Sequence, residues 1–256
     1  MAKKKLLWGA AMAVFLVSCG APKTEATNFE ATGNYSQALT AWTSYFETTA
    51  IEEVAGADFA QAAKTAFKAG NAAQAISWFD QARYKNYADA DMYQTLAAIY
   101  QQQDNLSKEL SALEYITENY GSDNNEVNAR LLAIYTEIDA NDKALEVWSK
   151  MDGASKNKEE NLDHYFEVNK ALENEAVCDS LADVLLGKNP EHLEALEWNA
   201  KKYYWAGQNR YEREMAKYNA NKTRKNYNTL LKELDLVTAD FKKALPYLNK
   251  LWKLNP

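Results

Sequence analysis

The chain has 256 residues, of which 47% are hydrophobic and 25% are charged, a composition typical of a folded protein. Its 36 acidic and 29 basic side chains give a net charge of −7. Nucleic-acid binding needs a basic surface that neutralises phosphates, so we expect no nucleic-acid partner for this acidic chain. Only 9 glycines and 4 prolines are present, which is too few for the many tight turns of an all-β fold.

The N-terminus has the parts of an export signal. Lysines at positions 3–5 form a positive segment, and residues 6–17 form an apolar stretch. A helix that spans a bilayer needs about 20 apolar residues, so this stretch is too short to do so. We predict a signal peptide over residues 1–18, followed by a tether over residues 19–27.

The segment Leu16-Val17-Ser18-Cys19-Gly20 resembles the lipobox of bacterial lipoproteins, in which a small residue precedes a cysteine. The resemblance implies cleavage before Cys19 and attachment of a diacylglycerol and an N-acyl chain to Cys19. Because Gly20 and not Asp follows, it also implies sorting to the outer membrane of a bacterial envelope, facing the periplasm. The alternative is an ordinary secretory signal with an accidental cysteine.

The remaining chain repeats at intervals close to 34 residues. Tyr93, Leu96, Ala97 and Tyr100 form the clearest copy of the pattern. Alignment of the small residues predicts repeat starts at intervals of 34, 35, 34 and 34 residues, namely at Gly56, Ala90, Asn125, Glu159 and Leu193.

This pattern resembles the tetratricopeptide repeat, a pair of antiparallel helices. The resemblance implies an all-α fold, a right-handed superhelical solenoid of antiparallel helix pairs. The predicted parts are a partial repeat or cap over 28–55, five units over 56–221, and a long helix with a final repeat helix over 222–256. A generic helical bundle is the alternative.

Four positions depart from the repeat pattern or punctuate it. Glu109 and Glu212 stand where a small residue is expected at the helix crossing, so their hairpins are expected to splay or shift. Gly207 is expected to form the turn of the fifth unit. Pro246 lacks a backbone N–H, so it is expected near the first turn of its helix or at a bend. We expect the final helix to fray or to be covered by a further segment or partner.

Motifs of enzymes and metal sites are absent from the sequence. His164 and His192 have no partner at metal-binding spacing, and no phosphate-binding or nucleophile motif occurs. We therefore predict no enzyme activity, no cofactor and no metal site. Cys178 is expected to be a small buried thiol.

The resemblance to tetratricopeptide repeats implies that the first helix of each pair lines a groove. In the late repeats this projection gives candidate binding residues Glu160, Asp163, Glu167, Glu197, Lys201, Tyr204 and Trp205. In the earlier repeats it gives Lys64, Phe67, Lys68, Asp91, Gln94, Gln101, Glu126 and Glu137. The rings of Tyr204 and Trp205 either anchor a partner or pack against the next helix.

These features predict a membrane-anchored scaffold or adaptor that binds peptide or helix segments of protein partners. The alternative is a glycan-binding or small-ligand-binding lipoprotein of a nutrient-uptake system, because the 16 Tyr and 7 Trp supply rings that stack on sugars. Residues 193–256 carry 13 basic and 7 acidic side chains. This basic end is expected to be a solvated helix face or to meet an acidic partner or a lipid surface.

Overall fold

The computed structural model describes residues 22–255, and all regular structure in that range is α-helical. The chain divides into two compact units between Asn105 and Leu106. Cys19 and the predicted signal peptide lie outside the described residues. Between residues 22 and 255, no helix combines the length and the hydropathy of a membrane-spanning segment.

The helices of each unit follow one another with short connections. In the first unit they are α1 (Pro22–Ala31), α2 (Tyr35–Thr48), α3 (Gly56–Lys68), α4 (Ala72–Tyr84) and α5 (Ala90–Gln102). In the second unit they are α6 (Leu106–Asn119), α7 (Asn125–Glu137), α8 (Asn141–Lys150), α9 (Gly153–Lys156), α10 (Glu159–Ala171), α11 (Glu175–Lys188), α12 (Leu193–Ala220) and α13 (Arg224–Leu254).

The helix starts follow the repeat register of the sequence. Helices α3, α5, α7, α10 and α12 begin at the five residues predicted as repeat starts. Fourteen residues after four of these starts, the chain turns through a left-handed conformation, with φ between 51° and 83°, at Gly70, Asp104, Asp139 and Glu173. Glycine, aspartate and asparagine tolerate this conformation best, so Glu173 is the least favourable residue of the four.

Alanines let the paired helices α3 and α4 approach closely. Ala62, Ala66, Ala75 and Ala82 are completely buried at their contact. Short side chains at a helix crossing leave room for the backbones, and larger side chains fill the spaces between pairs. Phe59 does so here, because its ring stacks on Phe46 of α2 with 4.6 Å between the ring centroids.

The pair α10 and α11 has a larger aliphatic and aromatic core. Phe166, Cys178 and Leu185 are completely buried in it. Burial raises the pKa of the Cys178 thiol, as expected for a small apolar core residue. On its edge the ring of Trp148 from α8 stacks on Tyr165, with 4.0 Å between centroids and 5° between planes.

Glu109 is buried at the place where the repeat pattern expects a small residue. Its two carboxylate oxygens accept hydrogen bonds from the Arg130 guanidinium, from Nε at 2.5 Å and from Nη2 at 2.9 Å. A bidentate pair of this kind compensates the removal of the carboxylate from water. The pair joins α6 to α7.

The N-terminal tether expected over residues 19–27 requires a correction for its described part. Residues 22–27 are the first turns of α1, which packs against α2. Glu30 holds α1 in place, because its carboxylate accepts hydrogen bonds from Trp42 Nε1 at 2.6 Å, from Gln61 Nε2 at 2.8 Å and from the Thr65 hydroxyl.

The fifth repeat also differs from the expectation, because the chain does not turn at Gly207. Helix α12 continues through this residue for 28 residues and pairs with α13, which has 31. In two earlier copies an asparagine, Asn71 or Asn174, stands at the N-cap of the second helix, whereas Gln208 follows Gly207. Glutamine favours the helix interior and is a poor N-cap, so the helix has no stop signal there.

Two further expectations change with this long hairpin. Glu212 is not at a helix crossing but on the exposed side of α12, where it accepts a hydrogen bond from Gln208 Nε2 at 2.7 Å. Pro246 lies inside α13 and not in a first turn. It is exposed, so water can reach the carbonyl that lacks its helical donor.

Replacing Gly207 with leucine is expected to destabilise the protein by about 1–3 kcal/mol through overpacking. A Cβ atom at this position would lie 3.2 Å from the Phe241 ring of α13. Gly187→Leu is the matched control, because a Cβ there meets nothing within 4 Å and a helical glycine costs about 0.5–1 kcal/mol. Urea unfolding should show a lower midpoint for the first variant and an unchanged or higher midpoint for the second. Equal midpoints would contradict the close α12–α13 contact.

Candidate functional site

The candidate binding residues of the late repeats lie on two helices of the second unit. Glu160, Asp163 and Glu167 belong to α10, and the other four, Glu197, Lys201, Tyr204 and Trp205, belong to α12. The start of α12 lies beside α10, because His192 contacts Asp163 and Glu194 contacts Lys170.

An acidic cleft of about 560 Å³ opens between α10 and the start of α12. Five carboxylate residues line it, together with two histidines and two other side chains: Glu159, Asp163, Glu167, Glu191, Glu194, His164, His192, Asn189 and Leu193. We call this site the acidic cleft. Its lining has a strong excess of negative charge, which attracts cationic groups.

His192 fixes the N-terminus of α12 against α10. Its Nδ1 atom accepts a hydrogen bond from the backbone N–H of Ala195 at 3.3 Å, so in the neutral ring the proton is on Nε2. That Nε2–H then donates to Asp163 Oδ1 at 2.7 Å. The histidine therefore acts as an N-cap and orients one wall of the acidic cleft.

The second wall contains two carboxyl groups and one ammonium group. Lys170 Nζ lies 2.8 Å from Glu167 and 3.1 Å from Glu194. Burial and the neighbouring Glu194 carboxylate raise the pKa of Glu167. The hydrogen bond from Glu167, together with Lys170, holds the pKa of Glu194 below its usual range. The two acids therefore share a proton more readily than isolated glutamates do.

His164 lies in the same cleft and adds little positive charge near neutral pH. Burial lowers its pKa, although Asp163 and Glu160 oppose that shift. The carboxylates consequently set the charge of the acidic cleft.

The other candidate residues do not join this cleft. Glu160 is exposed on α10, and Glu197 pairs with Lys201 at 2.5 Å on the surface of α12. The Tyr204 ring packs against Phe241 of α13 at 5.5 Å, and Trp205 meets Tyr204 edge-on at 5.3 Å. Both rings remain partly open to solvent, and Trp205 is 54% exposed.

The sequence prediction did not include Glu159, Glu191 or Glu194, nor did it give either histidine a role in a binding site. Glu194 could have been found, because it occupies the same place in its repeat as Glu160. Glu191 and His192 come from the loop before α12, and no register rule applies to that loop. Their contribution depends on contacts between residues about 30 positions apart.

A second cleft, of about 330 Å³, lies in the first unit. Five residues projected from the early repeats line it: Lys64, Phe67, Lys68, Asp91 and Gln94. Lys64 pairs with Asp91 at 2.6 Å, and Lys68 lies 5.2 Å from the centroid of the Tyr35 ring. This cleft is of mixed charge, unlike the acidic cleft.

Most tryptophans in the described range contact other parts of the fold. Trp42 and Trp78 are buried, and Trp148 and Trp198 are half-buried against the α10–α11 core. Trp205 and Trp252 are exposed. Among residues 22–255, no cluster of three His, Cys, Asp or Glu side chains has the geometry to hold a metal ion.

The fold is that of tetratricopeptide-repeat proteins, with helices in antiparallel pairs. A tetratricopeptide repeat protein from Parabacteroides merdae is 15% identical, with a TM-score of 0.53 and coverage of 93% of this chain and 94% of that one. The C-terminal part of a TPR repeat-containing protein from Cytophaga hutchinsonii is 16% identical, with a TM-score of 0.52 and coverage of 89% and 86%. No protein-family model and no curated protein matches the sequence.

Proposed function

We propose that this protein is a membrane-anchored interaction scaffold of the bacterial envelope, and that its acidic cleft binds a basic segment of a partner protein. The observation that carries the proposal is the arrangement of Asp163, Glu167, Glu191 and Glu194 around one open cleft. The repeat fold supports it, because stacked helix pairs expose long surfaces on which peptides and helices bind.

Charge favours a lysine- or arginine-bearing segment. Lys170 neutralises part of the wall formed by Glu167 and Glu194, whereas Glu191 is exposed and forms no ion pair with another described residue. An incoming cation can therefore pair with carboxylates without first displacing a buried partner. Trp205 offers an exposed ring on the same helix as Glu194, where it can contact an apolar side chain of the bound segment.

The anchor in this proposal is the lipidated Cys19. A single acyl chain binds a membrane only marginally, whereas each buried CH₂ contributes about 0.8 kcal/mol. The two or three chains that the lipobox implies would therefore hold the protein on the membrane permanently. Sorting to the outer membrane, facing the periplasm, follows from the same resemblance through Gly20.

We expect the chain to bind a ten-residue peptide of alternating lysine and serine more tightly than the corresponding glutamate peptide. Glu191→Lys should weaken binding of the lysine peptide about 3- to 10-fold, because it replaces an attraction with a repulsion worth about 1 kcal/mol in total at an exposed site. Fluorescence anisotropy of labelled peptides at fixed ionic strength measures this effect.

Glu175→Lys is the control for net charge, because Glu175 is an exposed acid on α11 away from the acidic cleft. It should leave the affinity within about twofold. Equal losses in the two variants would show that only overall charge matters, and the acidic cleft would then have no role as a binding site.

Cys19→Ala is expected to move the protein from the membrane fraction to the soluble fraction of the envelope. Cys178→Ala should leave it in the membrane fraction, because Cys178 is buried in the α10–α11 core. Fractionation followed by immunoblotting compares the two variants with the parent chain. Membrane retention of Cys19→Ala would rule out the lipid anchor and leave the scaffold proposal to be judged by the peptide experiment.

A further inference from the structure

The long hairpin of α12 and α13 exposes two apolar stripes. On α13, steps that alternate between four and three residues from Tyr227 to Trp252 reach an aromatic or aliphatic residue at every position except Thr238. We call this the α13 stripe. Several of its members are well exposed, including Leu231, Leu245 and Trp252, and Leu245 is 53% exposed.

A parallel stripe runs along α12. The same alternation from Tyr204 to Tyr218 passes through Gln208, Tyr211 and Met215, and we call this the α12 stripe. Ring contacts join the two stripes near both ends of the α12 stripe. Tyr204 lies 5.5 Å from Phe241, and Tyr218 lies 5.9 Å from Tyr227. The stripes therefore run side by side and form one face of the hairpin.

The spacing of the stripes indicates what kind of element covers this face. Alternating steps of four and three residues form the seam that packs against another helix in a coiled coil. The rest of the fold shows the same arrangement within each unit. Helix α10 packs against both α7 and α8, and α5 packs against both α3 and α4. The face of α12 and α13 has no such third helix among the described residues.

The charge of α13 argues against a second copy of this hairpin as the occupant. Glu233 and Asp240 are paired with Arg210. Asp235 forms no ion pair with another described residue, and neither do six basic residues, Arg224, Lys225, Lys232, Lys242, Lys250 and Lys253. Two such faces would bring like charges together, whereas an acidic helix would be attracted.

We infer that the face formed by the α12 and α13 stripes docks an amphipathic helix of a partner protein, with heptad-spaced apolar residues and acidic residues along its edges. The docked helix would take the place that α10 takes on α7 and α8. This surface is separate from the acidic cleft and would attract the opposite charge, so the inference goes beyond the proposed function.

The test uses the full chain and a pair of designed helical peptides of four heptads. Both peptides carry leucine at the seam positions. One has glutamate at the flanking positions and the other has lysine. We expect the glutamate peptide to bind at least about tenfold more tightly than the lysine peptide, and Lys242→Glu to reduce that preference.

Leu245→Glu is expected to weaken binding of the glutamate peptide about tenfold or more, because it places a charge in the seam. Leu236→Glu is the matched control, because Leu236 is 47% exposed on α13 but lies off the stripe. It should change the affinity by less than about twofold. Circular dichroism would verify that both variants keep the helical content of the parent chain.

Four results would overturn the inference. They are no binding of the glutamate peptide, equal loss in Leu245→Glu and Leu236→Glu, concentration-dependent dimers that Leu245→Glu abolishes, and binding to anionic lipid vesicles that Leu245→Glu abolishes without any peptide preference. The third result would assign the face to a second copy, and the fourth would assign it to a membrane surface. None of them bears on the acidic cleft, because these variants leave its residues unchanged.

Discussion

Close contact between paired helices is the constraint on which the rest of this structure depends. Two helix backbones approach closely only where their facing side chains are short, and Ala62, Ala66, Ala75 and Ala82 supply this in the pair α3–α4. Each pair then leaves an apolar face that a neighbouring helix covers, as α10 covers α7 and α8. Since each contact uses the same positions of the repeat, the remaining positions are free to carry charge.

That division of positions explains how much could be predicted from the sequence. The starts of five helices followed from the spacing of small residues, because the crossing constraint acts within about 34 residues of chain. The same spacing failed at Gly207. A turn needs both a residue that tolerates left-handed backbone and a cap for the next helix, and Gln208 is no cap. Helix α1 was missed because Glu30 stabilises it through partners on α2 and α3, the farthest of them 35 residues away.

The candidate site shows the same limit. Asp163 and Glu167 were predicted from the repeat register and do line the acidic cleft. Glu191 and His192 belong to the connection before α12, whose path is set by the capping of that helix and by the hydrogen bond to Asp163. The sequence shows which residues can face outward, but the loop that closes the cleft depends on tertiary contacts.

Charge gives the two exposed surfaces different preferences for their partners. The acidic cleft concentrates carboxylates around α10, whereas the outer part of α13 carries mostly unpaired basic residues. A scaffold with two surfaces of opposite charge can distinguish two partners by electrostatics alone, in addition to their shape. Separate surfaces of this kind would allow one chain to hold two different proteins together.

Hydrogen exchange measured by mass spectrometry on the full chain tests the helix-pair arrangement most directly. The account predicts protected blocks that correspond to the helices, with faster exchange at the turns near Gly70, Asp104, Asp139 and Glu173 and continuous protection through Gly207. Fast exchange throughout α7, α10 and α11, or a fast segment at Gly207 like those at the other four turns, would contradict it.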